Sequence, residues 1–307
     1  MLLASDQALN MHKSKLRIFL IALLVVTAQA GFSQTNDSSI PHLTLTFKTI
    51  DCAQGAIYTT ATGINNAGQV VGDCAGLHGF RWTPNSIESI DFPSAANSRA
   101  ADINSFGEIV GTYNSTIGSY SQGFQVNKGT YATIDATGAV QTVVIGINGA
   151  GATVGYWNDQ NYNIYGFLYG NGTFTPISVP GSLGTTPKGL NSSTIVGSYV
   201  TSTALHGFLL QGGIFTALDF PGAIFSDAHS INASGKVIGI YEDSNFQYHG
   251  FLWEGGAFVA TFDLRNQILQ DDSFTRLSLN DKGQIVGTYP GAKGVHHGFI
   301  ATLPKLN

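Results

Sequence analysis

The chain has 307 residues, and its 14 Lys and Arg are outnumbered by 19 Asp and Glu, which gives a formal net charge of −5. This acidic balance argues against nucleic acid or an anionic membrane surface as a partner. The 38 glycines and the low share of charged residues (11%) are typical of a chain with many tight turns. No segment after residue 30 has the periodicity of a helix, so we expect an all-β protein.

Residues 1–30 are predicted to be a secretory signal peptide, with Met11 as an alternative start. Basic residues precede the apolar run 18–26, and Ala28 and Ala30 form a small-residue cleavage pattern. The apolar run is too short to cross a bilayer, which predicts secretion to the periplasm or the extracellular space without a membrane span. Residues 31–42, rich in Ser, Asn and Asp, are predicted to be a flexible polar leader.

One phrase then recurs along the chain: Ile/Leu-Asn, Gly, Val/Ile-Gly, Gly-Phe and a hydrophobic residue followed by Asp. Its six copies are marked by the asparagines Asn65, Asn104, Asn148, Asn191, Asn232 and Asn280. The period of about 40 residues is that of one four-stranded propeller blade. Since each copy has nearly constant internal spacing, short hairpins must connect its strands.

Each copy is interpreted as four strands. The first ends at Ile/Leu-Asn, the second is Gln-Val/Ile-Val-Gly, the third resembles His-Gly-Phe-Leu-Trp, and the fourth is Gly-x-Phe-x-x-x-Asp. Asn-x-x-Gly between the first two is a tight turn, because Asn caps its own backbone and Gly accepts a positive φ. This pattern predicts a six-bladed β-propeller of four-stranded antiparallel blades. A β-solenoid is the alternative, but its repeats are usually shorter and less rich in hairpins.

The last copy lacks a fourth strand, and the missing strand stands at the other end of the chain. Residues 43–51 end in the same hydrophobic-Asp pair as the other copies. We therefore predict that 43–51 pair with 297–303, which closes the ring and leaves fewer exposed strand edges. Residues 43–307 are predicted to form a single propeller domain, and we expect a monomer.

Two cysteines occupy positions that are large and apolar in most other copies. Cys52 follows the first hydrophobic-Asp pair, and Cys74 stands where later copies carry Tyr or Trp. In a secreted chain this arrangement predicts a Cys52–Cys74 disulfide. Two free buried thiols are the alternative.

Length variation concentrates in the loops between second and third strands and between consecutive copies. These loops share one face of a propeller, which we name the variable-loop face, and binding usually resides on such loops. The predicted ligand-binding residues on it are Tyr156, Trp157, Asp159, Tyr162, Tyr165, Glu242, Asp243, Phe246, Tyr248, Asp271 and Asp272. Asp102 is added because it is the one carboxylate in a ring of small residues that precede Ile/Leu-Asn and should line the channel. Ordinary packing is the alternative role for each aromatic residue.

Histidine recurs once in most copies, as His78, His206, His249 and His297. A metal centre needs converging ligands, whereas blade symmetry spreads these residues around the ring. We therefore predict a structural role for the repeated His and the repeated Asp, with no metal and no cofactor. Residues 159–163 resemble a calcium loop but lack its Gly and distal Glu.

The complete phrase, as at 231–253 and 279–299, resembles the bacterial extracellular HAF-repeat family. The resemblance covers about residues 43–303 and implies an exported repeat protein, but it supplies no agreed activity and no catalytic residues. Copies three and four depart most from the phrase, with Tyr165 in place of His and Ser178 in place of Asp.

Two functions are consistent with these sequence features. The first is a secreted, non-catalytic scaffold that binds a glycan or a protein through the variable-loop face. The second is a propeller-type carbohydrate-active enzyme, a glycoside hydrolase or lyase, which needs two carboxylates at a defined separation. The sequence contains no Ser-x-Asp-x-Gly-x-Thr-Trp, Gly-x-Ser-x-Gly, zinc signature or phosphate loop. Binding is therefore favoured, and no catalytic residue is predicted.

Overall fold

A computed structural model describes residues 40–52, 58–75, 77–263 and 276–304, which form six sheets, or blades, one for each copy of the phrase. Each blade is built on four antiparallel strands. Two short strands precede the blades, β1 (His42–Leu43) and β2 (Phe47–Ile50). The strands of blades one to three are β3 (Thr59–Ile64), β4 (Val70–Cys74), β5 (His78–Thr83), β6 (Ser86–Ser89), β7 (Asn97–Ile103), β8 (Ile109–Asn114), β9 (Gln122–Asn127), β10 (Thr130–Ile134), β11 (Gln141–Ile147), β12 (Thr153–Asn158), β13 (Ile164–Gly170) and β14 (Thr173–Ile177). The strands of blades four to six are β15 (Gly184–Leu190), β16 (Thr194–Val200), β17 (Leu205–Gln211), β18 (Ile214–Ala217), β19 (Phe225–Ile231), β20 (Val237–Glu242), β21 (Tyr248–Glu254), β22 (Ala257–Phe262), β23 (Ser278–Leu279), β24 (Gln284–Pro290) and β25 (His296–Thr302).

The chain is therefore a six-bladed β-propeller, as the repeat predicts. The Phe of each Gly-Phe pair is almost completely buried, for example Phe124, Phe208 and Phe299. These rings belong to the apolar clusters that form the core. The nearly constant spacing of the phrase follows from this burial, because each copy must place its Phe ring at the equivalent position in the apolar core.

The inner strand of each of the first five blades has a β-bulge. The ladder between inner and second strands skips one residue, at Thr62, Ala101, Ile145, Lys188 and His229. Beside the bulge the backbone of the inner strand approaches the second strand closely, which explains why the second strand carries the glycine of Val/Ile-Gly. A Cβ on Gly72 would lie 1.8 Å from the carbonyl oxygen of Thr60, and one on Gly155 would lie 1.9 Å from that of Val143. Only glycine fits such a close approach of two backbones.

The six asparagines form a closed hydrogen-bonded ring at one end of the channel. Each side-chain Nδ2 donates to the backbone carbonyl of the asparagine in the next blade, at 3.0–3.4 Å. The last of these bonds runs from Asn280 back to Asn65. In Asn148, Oδ1 also accepts the N–H groups of Ala150 and Ala152, both at 3.0 Å. The asparagine of the phrase thus fixes its own turn and joins neighbouring blades.

The N-terminal strand closes the ring as predicted. β2 pairs antiparallel with β25, with Phe47 opposite Ala301 and Ile50 opposite Gly298. The rings of Phe47 and Phe299 meet edge to face at 4.8 Å between centroids. The N-terminal strand therefore serves as the fourth strand of blade six.

The predicted strand 43–51 is wrong at its start, because Leu43 belongs to β1 and pairs with Phe262. β1 adds a short parallel fifth strand to β22 of blade five. His42, which was assigned to the polar leader, binds the hydroxyl of Thr261 through Nδ1 at 3.0 Å and lies 3.4 Å from the Asp263 carboxylate. The N-terminal segment thus spans two blades rather than one.

The predicted disulfide is present. Cys52 and Cys74 are bonded, with their Cα atoms 5.8 Å apart. Cys52 follows β2 of blade six and Cys74 ends β4 of blade one, so the bond reinforces the closure. The predicted signal peptide and most of the leader lie outside the described residues. Among the residues that are described, no helix is long and apolar enough to cross a membrane.

Candidate functional site

Exposed apolar side chains gather on the variable-loop face. In the described part of the chain, eight of the eleven exposed large hydrophobic residues lie there. They are Leu77, Ile117, Tyr120, Tyr162, Tyr165, Leu183, Ile224 and Phe246. Clusters of exposed apolar residues on one face of a soluble protein mark interaction sites more often than chance exposure does.

Blades three and five carry the same loop, Asp-x-Asn-aromatic-Asn/Gln, between their second and third strands. In blade three, Asp159 Oδ1 accepts the N–H groups of Asn161 and Asn163 at 2.8 and 3.0 Å. The Asp243 carboxylate of blade five accepts the corresponding N–H groups of Asn245 and Gln247, both at 2.9 Å. These bonds make both loops rigid, and hydrogen bonds from Asn163 hold the pKa of Asp159 below its usual range.

An aromatic residue with left-handed backbone occupies the tip of each loop. Tyr162 has φ 61° and Phe246 has φ 62°. The two residues are 54% and 66% exposed, respectively. A bulky residue at positive φ is strained, and Gly or Asn would be favoured there. Folding therefore does not explain why these two positions are aromatic.

Blade two contributes a loop with exposed side chains next to the loop of blade three, and the sequence analysis did not predict it. The Tyr120 hydroxyl lies 2.7 Å from that of Tyr162 across two blades. Ile117, on the same loop as Tyr120, is highly exposed. The signal that could have found them is the longer loop of this copy, which spans residues 115–121, whereas the corresponding connection in the first copy is only three residues long, 75–77.

Other predicted residues on this face have packing partners. Trp157 stacks on Tyr165 at 4.4 Å between centroids, and the Tyr165 hydroxyl donates to Asp159 at 3.2 Å. Burial raises the pKa of Tyr156, and the ring of Tyr248 lies 5.6 Å from that of Phe225. Glu242 is half-buried at the end of β20. Asp271 and Asp272 lie outside the described residues.

The repeated His and the repeated Asp bind each other, which gives both a structural role. Nδ1 of the histidine lies 2.6–3.1 Å from the carboxylate that ends the fourth strand, in the pairs His78–Asp91, His206–Asp219, His249–Asp263 and His297–Asp51. In blade two, Gln122 takes the place of histidine and donates to Asp135 at 3.0 Å. No group of three or more metal-ligating side chains occurs among the residues that the structure describes.

Asp102 lies in the channel, where its carboxylate is held from several sides. It accepts the N–H groups of Ile103 at 2.9 Å and Ile147 at 3.1 Å. Burial raises its pKa, while Arg276, whose guanidinium lies 3.9 Å away, opposes that shift. Arg276 also donates to the carbonyls of Ala101 at 2.7 Å and Lys188 at 3.2 Å, so it joins blades two, four and six.

A second ionic group lies beside the first, built from the bulge residues Lys188 and His229. Asp227 pairs with Lys188 and lies 3.3 Å from His229 Nε2. Burial alone would raise the pKa of Asp227, but the Lys188 ammonium holds it far below its usual range. His229 Nδ1 accepts the N–H of Leu277 at 3.1 Å, and burial lowers the pKa of this imidazole, so it is neutral and carries its proton on Nε2.

Comparison with known proteins shows the fold and no more. No family model and no curated protein matches the chain. Among solved structures, AofleA from Arthrobotrys oligospora is similar with a TM-score of 0.55 and 15% identity, over 84% of this chain and 86% of that one. A putative TolB from Agrobacterium tumefaciens has a TM-score of 0.54 and 11% identity, over 80% of this chain and 91% of that one.

Proposed function

We propose that this protein is a secreted, monomeric, non-catalytic propeller that binds glycans through its variable-loop face. The observation that carries the proposal is the pair of rigid loops that hold Tyr162 and Phe246 exposed at positive φ. Strain at a position where Gly or Asn would be favoured points to a requirement for the ring itself.

The chemistry around the rings favours a glycan over a protein. Tyr162 and Phe246 stand on different blades, each bordered by amide and hydroxyl side chains rather than by a continuous apolar core. The core of a protein–protein interface is more contiguous and more apolar than this. Separate aromatic faces with polar neighbours suit sugars, which present C–H groups on one side and hydroxyl groups at the edge.

Export is supported by the Cys52–Cys74 bond, since structural disulfides persist in oxidising compartments. The signal-like segment 1–30 and the resemblance of the repeat to the HAF-repeat family point the same way.

The enzyme alternative depends on carboxylates in the channel. Asp102 and Asp227 both lie there, but Arg276 neutralises the first and Lys188 the second. Burial raises the pKa of Asp102, as a glycosidase acid requires, and Lys188 holds the pKa of Asp227 low, but each carboxylate is already engaged by a basic side chain. This arrangement favours a structural role for the ionic groups and supports binding.

A glycan array tests the proposal with Tyr162→Asn and Phe246→Asn combined in one variant. Asn accepts positive φ, so the loops should keep their shape while losing both rings. We expect binding to fall by about tenfold or more, because each ring should contribute about 1 kcal/mol. Phe106→Asn is the matched control, since Phe106 is 76% exposed on the opposite face.

Three results would count against this function. The wild-type protein could bind no glycan, the loop variant could bind as well as the wild type, or a protein partner could be captured in place of a glycan. Incubation of each bound glycan with the protein, followed by mass spectrometry, tests the enzyme alternative directly, because hydrolysis or elimination changes the mass.

A further inference from the structure

The channel ends in a cavity on the face opposite the variable loops. It has a volume of about 360 Å³ and is lined by the Asn turns of all six blades. This size lies within the range of about 300–1,000 Å³ that is usual for small-molecule pockets. The site is therefore separate from the proposed glycan-binding face.

Most polar groups in the wall of this cavity are already used by the protein. The asparagine amides are bound within the ring described above. Asp281 ties the rim together, because its carboxylate accepts the side-chain amide of Asn66 at 2.5 Å and the N–H of Ala233 at 2.8 Å. The wall is thus rigid and pre-formed.

Two of the hydroxyl groups in the wall are buried and remain without a protein partner. Ser230 and Ser278 line the cavity and are buried, yet neither side chain forms a hydrogen bond with any residue in the described ranges. Both stand directly before Ile/Leu-Asn, where blades three and four carry Gly146 and Gly189. The glycines stand where the next inner strand lies too close for a Cβ, since one on Gly189 would lie 2.8 Å from the Cα of Ser230. Asp102 lines the same cavity as the two serines.

The buried carboxylate of the cavity wall is paired with a cation, and the rim carboxylate of Asp281 is bound by Asn66 and Ala233. The Asp102 carboxylate faces Arg276, so the polar groups that remain are neutral hydroxyls that both donate and accept. An anion would be repelled by the carboxylates of Asp102 and Asp281, and a cation that reached the two serines would lose its hydration beside a carboxylate that Arg276 already neutralises. A neutral molecule with several hydroxyl groups would instead satisfy Ser230, Ser278 and the free lone pairs of Asp102.

We infer that this cavity binds a small neutral polyol, such as a monosaccharide or the terminal sugar of a glycan. Ser230 and Ser278 exchange hydrogen bonds with its hydroxyl groups, and Asp102 accepts from it.

Ligand-observed NMR and calorimetry with the whole protein test this inference. The probes are the methyl α-glycosides of glucose, galactose, mannose and fucose, each also as the free sugar, with acetate and ethylammonium as charged probes. We expect at least one neutral sugar to bind. Binding of the free sugar and its methyl glycoside alike indicates free monosaccharide as a sufficient ligand, and binding of the glycoside alone indicates a glycan terminus.

Ser230→Ala combined with Ser278→Ala should weaken that binding by about 30-fold, since two hydrogen bonds of about 1 kcal/mol are lost. Removing unpartnered hydroxyls should leave the melting temperature unchanged. The matched control is Ser86→Ala, which removes an exposed hydroxyl from an outer strand that does not line the cavity and should leave sugar binding unchanged. The Tyr162→Asn and Phe246→Asn variant is measured beside it to separate this cavity from the variable-loop face. The inference is wrong if no neutral sugar binds, if only acetate or ethylammonium binds, or if the loop variant loses binding while the serine variant keeps it.

Discussion

Ile50 provides the sharpest test of ring closure, because it is the N-terminal residue buried most deeply between the last and first blades. It is 1% exposed and packs with Ala61, Ile64, Val70 and Val286. Replacement of a buried Ile by Ala costs about 2–5 kcal/mol, depending on how far the cavity collapses. We expect about 3 kcal/mol for Ile50→Ala.

Ile134 is the matched reference, since it occupies the same place in an uninterrupted blade. It is 2% exposed and pairs with Gly123, as Ile50 pairs with Gly298. If β2 serves fully as the fourth strand of blade six, Ile134→Ala and Ile50→Ala should destabilise the protein equally. Ile87 in β6 is 45% exposed, so Ile87→Ala should change stability by less than about 0.5 kcal/mol.

Urea unfolding followed by fluorescence of the three tryptophans measures all three variants. With a slope of about 3 kcal/mol per molar urea, a loss of 3 kcal/mol lowers the midpoint by about 1 M. The closure would be refuted if the midpoint of Ile50→Ala matched that of Ile87→Ala while Ile134→Ala fell as expected.

Three further predictions concern the disulfide, the channel and the asparagine ring. Replacing Cys52 and Cys74 by Ser should cost about 3 kcal/mol in urea unfolding, because the bond closes a loop of 22 residues; an unchanged midpoint would contradict this. Because the pKa of His229 is lowered in the folded protein, its imidazole binds a proton in the unfolded chain below about pH 6.5 while it stays neutral in the folded state. Stability should therefore be complete above that pH and decline by at most about 1.4 kcal/mol per pH unit below it, and urea titrations from pH 8 to 5 should show a shallower decline for His229→Asn; equal slopes would refute the neutral imidazole. Asn148→Ala removes three hydrogen bonds and should cost about 3 kcal/mol, which thermal unfolding would show as a lower melting temperature; an unaffected melting temperature would mean that the ring adds no stability.

The blade architecture could be predicted because its determinants are local and repeated. The turn at Asn65 is encoded within a few residues, and the same turn recurs at each later asparagine. The missing strand of blade six can also be predicted from the repeat. The sixth copy ends after its third strand, which ends at Thr302, and Ile50-Asp51 is the hydrophobic-Asp pair with which a fourth strand ends. The repetition also predicts that Gly72 and its counterparts are required, but the physical reason is visible only in the structure. A Cβ on Gly72 would lie 1.8 Å from the carbonyl oxygen of Thr60 on the inner strand.

The channel chemistry could not be predicted in the same way. Lys188, Asp227 and Arg276 stand at different positions of the phrase in blades four, five and six, so no repeat pattern links them. These three side chains meet because the β-bulges and the closure of the ring direct them toward the central channel. Similarly, nothing in His42–Leu43 resembles the phrase, and its pairing with blade five depends on where the chain passes after closure.

The pairing of β2 with β25 has a consequence for the order of events during biosynthesis. Phe47 leaves the ribosome among the first residues of the propeller, whereas Ala301, its partner, is among the last. Contacts between such distant points of a chain form slowly and leave strand edges open to association in the meantime. The nascent polypeptide therefore cannot complete its ring until Ala301 has left the ribosome, however early Phe47 appears.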